Sequence, residues 1–303
     1  MHFITDDQVR RLITMRDAIA ELRVALIEHG AGRASVQRRV RTNGDHVSIS
    51  TMGAILPRAG VCGAKVYSTH QGRFDFVIPL FSSEDGQLIS IVHGDALTEF
   101  RTAAVTRIAS DALARHDTRV LAAFGTGRQA RAHIRALVDD SSIERVLIVG
   151  IDHVAQTVAE MQAHFPDKLI EASHAQAAAQ AADVIVTATR SATPLFDGRW
   201  VKPGAFVAAI GSSKPDAREL DDTLLARAGT VVVESLEQAR IEAGDLLMAA
   251  PGIVNWNQVV ELGAVLVAPQ IVHPAQGDVT VFKSLGLGIA DVALAGLLTA
   301  RMT

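Results

Sequence analysis

The sequence predicts an α/β fold, with an open, doubly wound parallel sheet over residues 117–284 and an α+β segment before it. Three observations carry this expectation. The stretches R-V-L-I-V (145–149), D-V-I-V-T-A (183–188), F-V-A-A-I (206–210) and T-V-V-V-E (230–234) are near-continuous apolar runs, as in parallel strands covered on both faces. Helical segments separate them, which is the alternation of a doubly wound domain. The first strand of the series, residues 120–124, ends in Gly125-Thr126-Gly127, and beyond it Ala130, Ile134, Leu137 and Val138 recur at helical spacing.

Length and composition bound the function. A chain of 303 residues, 49% of them apolar, is long enough for two cores. With 29 Lys and Arg against 33 Asp and Glu, the formal charge of −4 gives no general attraction to nucleic acid or acidic lipid, so the expected partners are small soluble molecules. Cys62 is alone, no Cys/His spacing suggests a metal site, and no apolar run reaches the roughly 20 residues of a membrane span. The opening M-H-F-I-T-D-D-Q-V-R-R is too charged for a signal peptide, and the expected compartment is the cytoplasm.

Taken in order, Thr5 with Gln8 and Thr14 with Asp17 mark two helix starts by the capping-box spacing. The second helix is expected to run to His29, with Ile19, Leu22 and Leu26 buried and Gly30 as its stop. Between Val47 and His93, short runs rich in β-branched and aromatic residues, separated by Gly, Pro and Asp-Gly, predict a sheet. Residues 98–115 read as a helix burying Val105, Ile108, Ala109, Ala112 and Leu113. The alanine-rich 172–182 reads as another, and 285–302 as a final helix that returns to the first domain.

The glycine turn has a chemical use. Unpaired N–H groups and partial positive charge at a helix N-terminus suit a pyrophosphate. In G-x-G-x-x-A, Gly125 makes the turn, Gly127 lets the backbone approach the phosphates, and Ala130 allows close helix packing; Thr126, Arg128 and Gln129 complete the candidate dinucleotide cradle. The second strand ends in Gly150-Ile151-Asp152-His153, where Asp152 would repel a 2′-phosphate and bind ribose hydroxyls. That favours NAD over NADP, although a protonated His153 argues the other way.

Three further places could carry chemistry. Lys65, in V-C-G-A-K-V-Y, either reaches the surface or faces a polar cavity where desolvation lowers its pKa; the pattern alone favours the surface. Arg101 begins a helix where a guanidinium could hold a carboxylate or be solvated. Arg38, Arg39 and Arg41 form either a solvated face or a second carboxylate clamp.

The combination of G-A-K-V (63–66), L-T-E-F-R-T-A-A-V (97–105), G-T-G-R-Q-A (125–130), R-E-L-D-D (218–222) and V-F-K-S-L-G (281–286) resembles the ornithine cyclodeaminase and mu-crystallin family, in collinear order over nearly the whole chain. The resemblance implies a homodimer with a substrate and dimerisation domain at 1–116, completed by a helix at 285–303, and a Rossmann-type dinucleotide domain at 117–284. It makes Lys65 the active-site lysine, Arg101 the carboxylate-binding arginine and Arg39 a second carboxylate contact. Phe282, Lys283, Ser284 and Gly286 would lie near the nicotinamide of NAD or NADP.

Two departures bear on the reaction. Ser213 stands where cyclodeaminases of the family carry their catalytic aspartate, which leaves it as a cofactor contact; Asp216 is the alternative acid. His93-Gly94 replaces a common Asp-Gly. Members with serine at the first position tend to be reductases or dehydrogenases. The expected function is therefore nicotinamide-dependent reduction of a cyclic ketimine carboxylate, of pyrroline-2-carboxylate or piperideine-2-carboxylate type. The alternatives are an ammonia lyase of cyclodeaminase type with retained NAD and an NADP-regulated binding protein like mu-crystallin.

Overall fold

The computed structural model describes residues 1–272 and 277–302; Thr303 and residues 273–276, which belong to the predicted tail and the predicted nucleotide domain, lie outside them. The chain forms two compact units, Met1–Val105 with Gly286–Thr303, and Thr106–Leu285.

In the first unit, β1 (His2–Ile4) is followed by α1 (Asp6–Leu12) and α2 (Met15–Gly30). Both helices start at the expected capping boxes, with Thr5 and Gln8, then Thr14 and Asp17, exchanging hydrogen bonds. α2 buries Ala18, Leu22, Ala25 and Leu26, while Ile19 is only half-buried. Its stop differs from expectation. Gly30 remains helical and Gly32 takes the left-handed conformation, φ +73°, its N–H donating to His29 O.

The sheet of this unit comprises β1, β2 (Ser35–Val36), β3 (Val40–Asn43), β4 (Ser48–Leu56), β5 (Val61–His70), β6 (Arg73–Ser82) and β7 (Leu88–His93), in the order β1-β7-β6-β5-β4-β2, with β3 also on β4. All pairs are antiparallel except β1 with β7. Met52 lies opposite Lys65, and Tyr67 opposite both Ser50 and Phe76. Side chains alternate along a strand, so Ser50, Met52, Lys65, Tyr67 and Phe76 share one face. The C-terminal helix, Gly288–Ala300, packs across that face. It comes so close that a Cβ on Gly288 would lie 2.6 Å from Met52 O. The opposite face carries Ile49 and Ile55, 49% and 48% exposed.

α3 (Gly94–Leu113) starts four residues earlier than expected, and Ala112 near its end is exposed rather than buried. Asp6 of α1 accepts the Ala96 N–H at 2.7 Å, so a carboxylate from a distant segment caps this helix. His93, in the turn where the family's acid would stand, instead packs edge-on against Phe3 and lies 3.6 Å from Asp6.

The second unit holds β8 (Val120–Phe124), β9 (Arg145–Val149), β10 (Leu169–Ala172), β11 (Val184–Thr187), β12 (Phe206–Ala209), β13 (Ala228–Val233), β14 (Val260–Glu261) and β15 (Val279–Lys283). Their order is β10-β9-β8-β11-β12-β15-β13-β14, and every pairing is parallel. The chain winds outward from β8 in one direction, then restarts at β11 on its other side. The carboxyl ends of β8 and β11 thus flank a topological switch point, the place where open α/β sheets bind ligands. The covering helices include α4 (Arg128–Val138), α5 (Val154–His164) and α6 (Ala175–Ala181), the last lying within the predicted alanine-rich segment. Ala122, Phe124, Ile185, Val207, Val233 and Val281 are among the strand residues of one buried core.

Candidate functional site

The chemistry-bearing residues gather in two places, one in each unit. In the first, Lys65 points from the middle of β5 into the covered face and is 1% exposed. Its Nζ donates to Thr98 Oγ1 at 2.6 Å and lies 3.2 Å from Asp291 Oδ1. The ring of Phe76 is 4.2 Å away and that of Tyr67 5.8 Å, close enough for their faces to attract the ammonium.

Thr98 and Arg101 stand one turn apart on α3, so both reach the same side. Arg101 is buried, with Nε 3.6 Å from Asp291 Oδ1. Arg39, also buried, donates to Met52 Sδ at 3.4 Å. Of the cluster that includes Arg38 and Arg41, it alone is withdrawn from solvent; Arg41 is exposed and reaches Ser50 Oγ.

Two buried cations, Lys65 and Arg101, therefore flank one buried carboxylate, and Arg39 lies within electrostatic reach of Lys65. Burial pushes the Lys65 ammonium down to about 7; Asp291 opposes the shift, and Arg101 and Arg39 add to it. Such a lysine exchanges protons near neutral pH, and buried guanidinium groups beside it suit an anionic ligand, a carboxylate above all. The surface position that the sequence pattern favoured for Lys65 is thereby corrected. Periodicity shows a lysine's phase along a strand, but not that a helix from the far end of the chain covers it.

Asp291 is the residue the sequence reading missed. It is the single charged residue between Lys283 and Arg301, an acid in an otherwise apolar helix. That isolation was the available signal, since a fully buried carboxylate needs a partner.

The second place is the switch point. Gly125 has φ +119°, and a Cβ there would fall 2.6 Å from Ala188 O at the end of β11. Ala130 is buried against the same turn, 3.5 Å from that position. Gly127 is the N-cap of α4, and a Cβ on it would meet nothing within 4 Å, so its backbone faces open space. No acid occupies the first turn of α4, Arg128 is exposed and Gln129 half-buried. These features fit a dinucleotide's pyrophosphate. Thr126 Oγ1 donates to Asp152 O at 2.8 Å, fastening the loop after β9 to the glycine turn. In that loop Ile151 and Asp152 are exposed, and His153 adopts the left-handed conformation.

Lys283, expected among the cofactor contacts, has a different setting. Its ammonium is fully buried, 2.9 Å from Asp245 Oδ2, and donates to Ser212 O at 2.6 Å. Asp245 in turn accepts the N–H groups of Glu219 and Leu220. Glu219 accepts from Thr187, Thr189 and Gly211. This network shapes the loops at the carboxyl edge of the sheet, and Lys283 is part of it. Its counter-ion Asp245 lies in a different segment, so this pairing was not visible in the sequence.

Ser284 is also buried, its N–H donating to Ala209 O. Ser213 follows the anchored Ser212 in the same loop and is half-buried, while Asp216 is exposed. Gly286, expected near the nicotinamide, has φ +80°, and a Cβ there would fall 2.4 Å from Arg101 Nη1. The glycine makes room for the guanidinium.

Comparison with known proteins shows which family the chain resembles over its length. The chain is 42% identical to a probable ornithine cyclodeaminase from Bordetella pertussis Tohama I, whose crystal structure it matches with TM-score 0.96, covering 100% of this chain and 97% of that one. It is 25% identical to Thermococcus litoralis Delta(1)-pyrroline-2-carboxylate reductase in complex with NADH and L-proline, with TM-score 0.93 over 99% of this chain and 97% of the other. The ketimine reductase mu-crystallin of Mus musculus is 33% identical over 240 residues, 77% of this chain and 74% of that protein. A model of the Ornithine cyclodeaminase/mu-crystallin family matches residues 2–303, and the chain belongs to that family.

Proposed function

We propose that this protein reduces the C=N bond of a cyclic ketimine carboxylate, of pyrroline-2-carboxylate or piperideine-2-carboxylate type, with NAD(H). The observation that carries the reading is the buried Lys65 held near neutral pKa among Arg101, Arg39 and Asp291. Arg101 and Arg39 hold the substrate carboxylate. Lys65 Nζ donates the proton that the ring nitrogen takes up as the C=N bond becomes C–N, and the neutral amine is reprotonated from water. Residues 125–130 would cradle the pyrophosphate of a dinucleotide, whose nicotinamide would supply the hydride, and Asp152, tied in place through Thr126, favours NAD over NADP.

The first unit is the substrate and dimerisation domain and the second the dinucleotide domain. The half-exposed Ile49 and Ile55 support a homodimer through the uncovered sheet face. A free Cys62 without a second cysteine in the chain fits a cytoplasmic location.

The Bordetella relative favours a second reading, a cyclodeaminase that releases ammonia from ornithine with retained NAD. Ser213 counts against it, since a serine is no acid at neutral pH. The test is a screen of five- and six-membered ketimine carboxylates with NADH and NADPH, alongside ornithine. Stoichiometric oxidation of NADH is the expected result. Ammonia release without net oxidation would overturn it, and silence with tight nucleotide binding would point to a binding protein of mu-crystallin type.

A further inference from the structure

We propose that Asp291 is the positioning residue of this site, the shared counter-ion that fixes the Lys65 ammonium and the Arg101 guanidinium at a set spacing. The proposal rests on the reading of Lys65 as proton donor given above. Its Oδ1 lies 3.2 Å from Lys65 Nζ and 3.6 Å from Arg101 Nε, and the whole residue is 0% exposed. Its nearest partners of opposite charge are these two cations, and a buried carboxylate in an apolar helix is tolerated only where it is paired.

The groups that face Lys65 are Asp291 from the C-terminal helix, Arg101 and Thr98 from α3, Arg39 from the segment before β3, Phe76 from β6 and Tyr67 from β5 itself. Among these groups Asp291 is the one anion. Without it, a desolvated lysine would face two arginines, which would drive off its proton and push the three cations apart. With it, Lys65 keeps a proton to give and Arg101 is turned toward the same point, so proton donation and carboxylate capture are set by one residue that touches no substrate.

The experiment compares wild type, Asp291→Asn and Asp291→Glu by two readouts. The first is the pH profile of kcat/KM with NADH and the ketimine found in the screen. Because the protonated lysine is the active form, activity falls as pH rises through the Lys65 pKa, and Asp291→Asn is expected to move that limb down by about one pH unit or more. KM for the ketimine should rise while NADH affinity stays within a few-fold. Asp291→Glu keeps the charge, so its limb should lie between the two.

The second readout is NMR of protein labelled with 13C-lysine. It needs no turnover, and only five lysines are present, so loss of one signal in Lys65→Met assigns Lys65. A Lys65 titration midpoint that is unchanged in Asp291→Asn overturns the proposal. A midpoint that moves in a protein with no ketimine activity keeps the counter-ion role and overturns only the reductase reading. If Asp291→Asn does not fold, Asp291→Glu decides by the same measure: a displaced carboxylate must shift the midpoint, and an unshifted one overturns the proposal.

Discussion

Lys65 shows how one residue carries both a function and a cost. Replacing it with Met should reduce turnover by about a hundredfold or more, the usual contribution of a positioned acid or base, while NADH affinity, measured by fluorescence, changes little. Stability should respond as well. The folded-state pKa of about 7 is lowered from the ordinary lysine value near ~10.4, so between those values the unfolded chain binds a proton that the folded chain does not. Unfolding free energy therefore gains from this group as pH rises across that window, and the burden of holding the charged form is greatest below it. Lys65→Met should lack that slope in urea titrations at the two ends of the window. Lys65 was legible as a candidate because a motif names it, whereas its burial was not, because the covering helix comes from the far end of the chain. Asp291 was not, because its meaning depends on two cations from segments remote in sequence. An isolated acid in an apolar helix signals only that a partner exists.

At the scale of elements, local rules succeeded where the determining interactions are local. Both capping boxes form because Thr5, Gln8, Thr14 and Asp17 need only neighbours three residues away. The short β1, β2 and β3 escaped notice, since V-R-T-N in β3 is wholly exposed and has no apolar alternation; its pairing to β4 is what makes it a strand. The glycine turn permits a paired prediction. Gly125→Ala places a Cβ 2.6 Å from Ala188 O at φ +119°, so it should cost about 1–3 kcal/mol of stability and weaken NADH binding together. Gly127→Ala meets nothing within 4 Å at an ordinary φ of −76°, so its melting temperature should match wild type. Its NADH affinity should nevertheless fall at least tenfold. Unchanged affinity in Gly127→Ala would mean that no phosphate approaches this backbone. Lys283→Met tests the loop network in the same way. It leaves Asp245 buried without its ammonium, and a loss of about 3–5 kcal/mol is expected in chemical denaturation. If instead stability held and the KM for NADH rose, Lys283 would be a cofactor contact after all.

The whole molecule poses the question of the uncovered sheet face. Ile49 and Ile55 on β4 lie opposite Ser68 and Cys62 on β5, so they share a face with Val66, Val77 and Phe81 across the neighbouring strands. Two large aliphatic side chains half in water near one edge of a sheet, beside further apolar residues, form the kind of patch that marks an association surface. A two-fold dimer would set this patch against its own copy, burying the same residues from both chains. The net charge of −4 is too small to oppose that approach strongly. Sedimentation velocity should find the wild type at twice the 32.2 kDa chain mass. Ile49→Glu combined with Ile55→Glu places four carboxylates in the proposed interface, two from each chain, and should give a monomer at micromolar concentration. The two residues project away from Lys65, so far-UV circular dichroism and the Lys65 titration should be preserved in that monomer. A double variant that stays dimeric would remove this face from the interface and leave its exposed isoleucines to another partner.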